Sequence, residues 1–596
     1  MADIDVVPVA LIAVLGVLAI VLGEKLAPRL RVATPLVLVA LGVAVSFIPA
    51  VPAITVDPDL ILAGVLPPLL YASAVRLPAM EFRRDLTAIG GLSVVLVILS
   101  SLTLGAVLAA VVPGIPLSVG IALGAILSPT DAVATTIIRR LGVSPRIVTV
   151  LEGESLFNDA TSLVIMGVAI SAVGSPDTVS AGGIVWKLVY SIVAALVIGA
   201  LVGTGGLRFR RWLHNAPLST LVSFTAPFIA YLAAEELGTS GLVAVATAGL
   251  VAGNGAARQL DPTDRMAEAP TWRSVSLLLE GGVFLAMGLE LFGLVEEVRR
   301  VHESLWSAAG LAALAVLVVL AVRGAFIGAL LRMLGRRARR RAARRERAQA
   351  AVDRLRDPDG SLWELGRDAA PLPQARLDRL RMFLARTAAD IDYLTEQRLG
   401  PREGVLLVWA GMRGVVTLAA AQSLPTGTPQ RALLVLVAFL VAAGTLVLQG
   451  ATLPWLTRRL ALTRGMDELD AERAALRTEL DTAALGCLDE PGLARSDGSA
   501  YDPVAVARAR RDLSNAQAMH AQAVSTTPER FAQYRELRLR AIQAEREALT
   551  RARDAGRVSS RTLREALAQL DAEQIEIRAR RGPVITTEDE EDDADA

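Results

Sequence analysis

The chain has very few residues that form disulfides or soft-metal sites, with one cysteine and three histidines among 596 residues. A single cysteine, Cys487, excludes a disulfide framework and a clustered cysteine metal site. The long apolar segments contain none of the histidines, which are His214, His302 and His520. A histidine metal site or histidine proton relay inside a membrane is therefore not expected.

Signatures of nucleic-acid binding and nucleotide binding are also missing. The net charge is +1, which gives no reason to expect a nucleic-acid partner. No GxxxxGK[ST] phosphate-binding loop is present, which disfavours direct drive by ATP. We expect neither an enzyme nor a bound cofactor.

Apolar sequence is abundant: 53% of the residues are hydrophobic, 20% are charged, and the mean hydropathy is +0.47. This composition is too apolar for a soluble protein of this length and indicates an all-α polytopic membrane protein. A helix needs about 20 apolar residues to cross the hydrocarbon layer. About thirteen segments fit, near 6–23, 32–50, 58–75, 87–111, 116–138, 155–173, 182–204, 217–235, 239–254, 274–294, 305–331, 403–424 and 431–456.

Charge alternates along the connectors between these segments. EKLAPRLR, RLPAMEFRR and LRFRRWLHN are basic, whereas VPAITVD, VPGIP and PTGTPQ contain no Lys or Arg. The positive-inside rule therefore predicts an external N-terminus and a cytoplasmic C-terminus in a cell membrane. One connector, VEEVRRVHES, departs from the rule by placing two arginines on the predicted outer side.

The same pattern predicts three regions. A transmembrane domain covers 1–460, an arginine-rich cytoplasmic insertion covers 334–400 within it, and a helical cytoplasmic tail covers 461–596. In the tail we predict two helices separated by a glycine-containing turn, the second capped by Ser559 or Ser560. The acidic end, EDEEDDADA, is predicted to be disordered.

Carboxylates interrupt two of the apolar segments. ILSPTDAVATTII contains Asp131, and LEGESLFNDATSLVIMGVAI contains Glu152, Glu154 and Asp159. Insertion scales put a charge at the bilayer centre at roughly 2.5 to 3.5 kcal/mol unfavourable, so these acids require a function or a partner. Four polar side chains in the second segment share one helical face at i, i+3, i+4 and i+7: Ser155, Asn158, Asp159 and Ser162. Their oxygen atoms suit a hard cation, although the serines and the asparagine could equally bond between helices.

Pro129 indicates a break in the fifth predicted span. It lacks the N–H that would bond to the Ala125 carbonyl, so the helix is predicted to kink or unwind there. Irregular backbone at that depth must face protein or a watery cavity. Thr130 and Asp131 are thereby placed where a carbonyl, a hydroxyl and a carboxylate meet, as in ion-coupled transporters. A simple proline kink beside a caged acid is the other interpretation.

The twelfth predicted span contains the sequence GMRG at 411–414, in which two glycines loosen the helix around Arg413. An arginine cannot lose its charge and needs an anion, for which Glu154 is the predicted partner in a buried ion pair. Glu280 is a further acid within an apolar segment. Arg323 is expected to snorkel toward the cytoplasmic side.

The two interrupted spans lie seven apart in order. An odd offset reverses orientation, so the segments before and after the seventh are predicted to be inverted repeats. Each repeat would contribute one interrupted helix to a site near the middle of the membrane.

Five motifs together resemble the sodium/proton exchangers of the monovalent cation:proton antiporter superfamily, in its NhaP-like branch. They are LPPLLYASA, SPTDAVA, EGESLFNDA, SGLVAVATAGLVAG and GMRGVVTLA, in this order, within roughly residues 1–460. The resemblance implies a homodimer in which a core domain moves against a dimerisation domain. It also implies a transporter of Na⁺ and H⁺ that works by alternating access in a lipid bilayer.

The resemblance also implies roles for individual residues. Asp159 matches the family's ion- and proton-binding aspartate and Asn158 its asparagine partner, while Thr130, Asp131 and Ser155 match its other site residues. Glu154 and Arg413 match the buried ion pair. The chain departs from several relatives after Tyr71, where Ala72 and Ser73 stand in place of an acid. Glu280 is a candidate to replace that acid, which leaves the preferred ion and the pH response open.

A single carboxylate that binds either a proton or Na⁺ would couple the two fluxes. An amide, Asn158, precedes Asp159 and cannot titrate, so an electroneutral exchange of one Na⁺ for one H⁺ is predicted. The nearer alternatives are a K⁺/H⁺ exchanger and a cation channel. An intramembrane aspartic protease built on two aspartates is less favoured, because no GxGD-like element is present.

Overall fold

The computed structural model describes most of the chain, namely residues 6–30, 32–48, 56–174, 181–302, 304–356, 386, 390–391, 393–394, 397–462, 466–490, 493–495, 498–514, 528–556 and 558–579. Apart from an isolated bridge between Ala494 and Ala500, the regular elements within these ranges are helices. The prediction of an all-α protein is confirmed. The acidic end at 580–596 and most of the predicted insertion lie outside the described residues.

Six of the first seven helices overlap predicted apolar segments, and the short α4 lies between two of them. They are α1 (Val6–Leu30), α2 (Thr34–Ser46), α3 (Leu60–Arg76), α4 (Ala79–Arg84), α5 (Leu86–Val111), α6 (Leu117–Leu127) and α7 (Val133–Arg140). The next group consists of long helices: α8 (Pro145–Gly174), α9 (Ala181–Leu213), α10 (Ala216–Glu236), α11 (Gly241–Gln259), α12 (Pro262–Arg300) and α13 (Leu305–Arg356).

The remaining helices include a second interrupted pair and a group near the C-terminus. They are α14 (Pro401–Trp409), α15 (Val415–Gln422), α16 (Arg431–Arg459), α17 (Met466–Leu488), α18 (Pro503–Ser514), α19 (Pro528–Ala555) and α20 (Ser560–Ala579).

Seven helices within the described ranges are long and apolar enough to cross a membrane, or eight if the bent pair α1–α2 forms one span. The protein is therefore an integral multi-pass membrane protein. Other predicted spans fall on interrupted or shorter helices, such as α6 with α7 and α14 with α15. The total of thirteen and the inverted repeats remain predictions.

The chain divides into two compact units. The first consists of the described residues within 1–260, 267–344 and 391–464, and the second of those within 261–266, 345–390 and 465–596. The core of the first unit contains Leu104 on α5, Leu123 on α6, Leu406 on α14 and Leu446 on α16, all buried. These side chains pack one face of the interrupted helices into the core of the unit.

The second unit contains the helices α17 to α20, which pack around a small apolar core. Ala484, Leu537 and Ala541 are buried in its core. The predicted turn lies at Gly556, whose φ is +71°, a left-handed conformation that glycine adopts without strain. Ser559 caps α20 by accepting a hydrogen bond from the Thr562 N–H at 3.2 Å, as predicted.

Candidate functional site

Two helix interruptions lie side by side in the first unit. One separates α6 from α7 at residues 128–132, and the other separates α14 from α15 at residues 410–414. The backbone N–H of Asp131 donates to the carbonyl of Met412 at 2.8 Å and joins them directly. The break at Pro129 was predicted, but the Ala125 carbonyl is not left free, because the Ser128 N–H donates to it at 3.3 Å.

Both glycines of the GMRG segment allow close approach of a charged side chain. A Cβ atom at position 414 would lie 1.7 Å from Oδ2 of Asp131, and one at position 411 would lie 2.8 Å from Nε of Arg323. Any larger residue would overlap these groups. Glycine is therefore required at both positions for space.

A cavity of ≈ 200 Å³ opens beside the interruptions. The predicted site residues that line it are Thr130, Asp131, Ser155, Asp159 and Glu280. Asp159 is only 7% exposed, and within the described part of the chain it has no hydrogen-bond or ion-pair partner. Asp131 uses one carboxylate oxygen to accept the Val133 N–H at 3.3 Å, at the start of α7.

Charge in the cavity is negative on balance. Its lining contains four acids, Asp131, Glu152, Asp159 and Glu280, and two arginines, Arg76 and Arg139. Glu152 is paired with Arg139. An excess of two acidic groups in a concave site concentrates cations.

Asn158 and Ser162 lie on the same helical face as Asp159 but are not among the lining residues. Asn158 Nδ2 donates to Thr130 Oγ1 at 2.8 Å and to the Thr130 carbonyl at 3.3 Å. Its Oδ1 atom is buried without a partner. Ser162 is buried one turn further along α8. Asn158 on α8 thus holds the non-helical segment at residues 128–132 against that helix.

Glu154 forms a buried ion pair with Arg323, and our prediction that its partner is Arg413 was wrong. Nη2 of Arg323 donates to Oε2 of Glu154 at 2.9 Å, and Nη1 donates to Oε1. Arg323 is 2% exposed, so it does not snorkel as expected. Thr130 Oγ1 donates to Glu154 Oε1 at 3.2 Å, which connects this pair to the site.

Arg413 binds backbone carbonyls instead of a carboxylate. Its Nε donates to the Leu127 carbonyl at 2.9 Å and its Nη2 to the Ser128 carbonyl at 3.4 Å, at the C-terminal end of α6. The negative end of a helix dipole stabilises a cation there. Any anion or dipole can satisfy a buried arginine, so residue types alone do not assign Arg323 and Arg413 to their acceptors.

The described residues form a helical membrane protein with two adjacent interrupted helices, with Asp131 at one break and Asp159 in the same cavity. This is the architecture of an ion-coupled secondary transporter. The family described as "Sodium/hydrogen exchanger, transmembrane" matches residues 12–355, and the chain belongs to this family. The resemblance stated from the motifs is confirmed.

Individual relatives agree with this assignment. An uncharacterized Na⁺/H⁺ exchanger of Mycobacterium tuberculosis is 29% identical over 584 residues, covering 96% of each chain. A sodium, potassium, lithium and rubidium/H⁺ antiporter of Bacillus pumilus is 31% identical over 301 residues, covering 47% of this chain and 43% of the relative. The sodium proton antiporter MjNhaP1 from Methanocaldococcus jannaschii has the same fold, with a TM-score of 0.53 and 18% identity over 76% of this chain and 99% of its own.

Proposed function

We propose that the protein exchanges Na⁺ for H⁺ across the membrane and that Asp159 is the carboxylate for which the two ions compete. One observation carries this proposal: Asp159 is buried, lines a cavity and has no protein partner among the described residues. A buried ionised carboxylate without a partner is costly. Binding either a proton or a cation removes that cost, so the occupied site is the stable one.

The oxygen atoms around Asp159 provide ligands for Na⁺. Asp131, Ser155 and Thr130 line the same cavity and offer a carboxylate and two hydroxyl groups. Hard monovalent cations are bound by oxygen ligands of these types. Glu280 lines the cavity from α12 and is an accessory candidate. Na⁺ is a transported substrate here, and no resident cofactor is part of the proposal.

A chain of hydrogen bonds positions these ligands, and Thr130 belongs both to the ligand set and to this chain. Asn158, Thr130, Glu154 and Arg323 form a continuous chain of hydrogen bonds that ends at the Leu407 carbonyl, 2.9 Å from Nε of Arg323. This chain connects α8, the first interruption, α13 and the C-terminal part of α14. It holds the geometry of the site while Asp159 gains and loses its charge.

The exchange is proposed to proceed by alternating access in a homodimer, in the cell membrane, with the C-terminus in the cytoplasm. Orientation rests on the basic connectors, and the dimer rests on the family resemblance. The proposal is for transport alone, with no enzymatic activity. Because Asn158 cannot titrate, one Na⁺ is expected to replace one H⁺ without net movement of charge.

Potassium exchange is the second candidate function. The Bacillus pumilus relative is named for potassium, lithium and rubidium as well as sodium. Ala72 and Ser73 stand where the family resemblance implies an acid, and Ser73 lines the cavity in its place. A cation channel that uses the same cavity oxygen atoms is the third candidate function.

Cation-driven proton movement in everted membrane vesicles distinguishes these functions. Vesicles containing the protein are energised, and Na⁺ or K⁺ is added at equal concentrations while internal acidity is followed with a fluorescent amine. We expect Na⁺ to release protons at lower concentration than K⁺ does. A response to K⁺ alone would contradict Na⁺ as the substrate, and cation flux without proton movement would indicate a channel.

A further inference from the structure

The second unit contains a cavity that plays no part in the proposed transport. Its volume is ≈ 660 Å³, and its walls come from α17, α19 and α20. Sites for small molecules occupy roughly 300 to 1,000 Å³. The cavity is therefore large enough for a metabolite rather than for a few water molecules alone.

Two buried charged groups in this cavity lack full partners. Glu545 is 6% exposed and, among the described residues, has neither a hydrogen bond nor an ion pair. Arg538 is 4% exposed and uses Nη2 for Glu573, while its Nε and Nη1 atoms are buried without partners. Unpaired buried donors and acceptors are costly. A ligand that supplies one cation and one anion would remove both costs.

The other charges of the cavity are partly satisfied within the protein. Glu565 accepts from Arg473 at 3.0 Å, and Asp481 lies 3.5 Å from Arg477. The lining as a whole has five acids and three arginines, a difference of two negative charges. That imbalance favours a ligand with net positive charge.

The lining also includes an apolar portion. Leu476, Leu480 and Leu570 are buried and face the same cavity. Apolar walls between polar groups suit a ligand with an aliphatic chain between charged ends. A metal ion fits less well, because the described residues contain no group of three His, Cys, Asp or Glu side chains arranged to hold one.

We propose that this cavity binds a small basic amino-acid-like solute, with an ammonium group on Glu545 and a carboxylate on Arg538. The aliphatic chain of the solute lies against the three leucines. The proposal is independent of the Na⁺/H⁺ exchange and assigns the tail a ligand of defined chemistry.

L-lysine is the probe, and its binding to the full-length protein in detergent is measured by isothermal titration calorimetry. Cadaverine has the same chain and both amines but no carboxylate, and L-norleucine has no side-chain amine. We expect saturable binding of one L-lysine per chain, with both analogues at least about tenfold weaker. No saturable binding of L-lysine, or equal affinity for cadaverine, would overturn the proposal.

Variants locate the binding within the chain. Glu545→Gln should weaken L-lysine binding by at least about tenfold, because it removes the charge that faces the ammonium group. Glu547→Gln is the matched control: it lies on the same helix, is exposed, and is not a lining residue. Unchanged affinity in Glu545→Gln would contradict the assignment. Asp159→Asn should bind L-lysine like the wild type, which separates this test from that of transport.

The pH profile gives an independent check on Glu545. Burial raises the pKa of Glu545 from 4.5 to about 7, Arg538 and Arg477 lower it, and Asp481 raises it. Glu573 and Glu576 line the cavity on the facing helix, α20. Since the ionised form holds the ammonium group, affinity should rise as the pH increases through 7 in the wild type. The same rise in Glu545→Gln would contradict the proposal.

Discussion

Asp131 and Gly414 lie on different interrupted helices and touch so closely that a Cβ atom at position 414 would overlap the Asp131 carboxylate. The neighbouring bond from the Asp131 N–H to the Met412 carbonyl, at 2.8 Å, holds the two breaks together. A change at one break therefore reaches the ligands at the other.

Gly414→Ala should displace Asp131 and abolish most of the Na⁺-dependent proton movement. Overpacking at such a position costs about 1 to 3 kcal/mol, so the variant should still fold. Gly444→Ala is the matched control, because a Cβ atom there has no neighbour within 4 Å. The measurement is the exchange rate in vesicles at equal protein amounts. Equal rates in both variants would show that Asp131 need not be held in this position.

The ion pair between Glu154 and Arg323 should contribute to stability more than to ion binding. Arg323→Met strands a buried carboxylate, at a cost of roughly 3 to 5 kcal/mol. Adding Glu154→Gln to that variant removes the stranded charge and should restore part of the loss. Thermal unfolding in detergent compares the wild type with both variants. If the double variant is less stable than Arg323→Met, Glu154 has another partner that outweighs Arg323.

Substitution of Arg413 should destabilise the protein less than substitution of Arg323. Because its guanidinium binds carbonyls at the end of α6, Arg413→Ala leaves carbonyls rather than a carboxylate unsatisfied. The loss of stability should be smaller than in Arg323→Met, since unpaired neutral groups cost about 1 to 3 kcal/mol. The same melting experiment ranks the two variants. If Arg413→Ala is the less stable of the two, Arg413 and not Arg323 is the main neutralising partner of the buried Glu154 carboxylate.

The tail should become less stable as pH rises. Burial raises the pKa of Glu545 from 4.5 to about 7, so the folded tail binds a proton that the unfolded chain releases between these values. The stability that this proton contributes is present below about pH 4.5, falls by roughly 3 kcal/mol as pH rises to 7, and is absent above it.

Cys487 allows the pH dependence of the tail's stability to be measured, because it is the single thiol of the chain and lies on α17 of the tail. The temperature at which Cys487 becomes fully reactive, normalised to the denatured protein, should fall from pH 5 to pH 8 in the wild type. Glu545→Gln should flatten that dependence. A profile that is equally steep in both proteins would mean that other groups control it.

The transport step should be insensitive to membrane voltage. One elementary charge moved across 100 mV is worth about 2.3 kcal/mol, so any uncompensated charge would make exchange strongly voltage-dependent. The test uses proteoliposomes in which K⁺ and valinomycin set the potential and Na⁺ is the test ion. An exchange rate or end-point that follows the imposed potential would mean that more than one proton moves per Na⁺.

The sequence predicted the parts of the site that depend on local chemistry. Pro129 and the GMRG segment predicted the two interruptions. Proline lacks the N–H that a continuous helix needs, and glycine destabilises a helix through its backbone entropy. The spacing of Ser155, Asn158 and Asp159 predicted a polar face, since helical periodicity is a local property. These features required no knowledge of neighbouring helices.

Long-range pairing was not predictable in the same way. Arg413 was predicted to pair with Glu154 and Arg323 to snorkel, because residue types alone do not show which distant helices are neighbours. The structure assigns Arg323 to the carboxylate and Arg413 to the end of α6. The role of Gly411 as space for Arg323 follows only from that packing. Helix-to-helix contacts, not residue types, decide such assignments.

The most direct test of the exchange mechanism is Na⁺-driven proton movement by purified wild-type protein and Asp159→Asn in proteoliposomes. The amide preserves the shape of the side chain but can neither release a proton nor neutralise Na⁺. Asp159→Asn should remain folded, with a melting temperature no lower than that of the wild type, and should move no protons when a Na⁺ gradient is applied. Proton movement at the wild-type rate in this variant would contradict the proposed competition for Asp159.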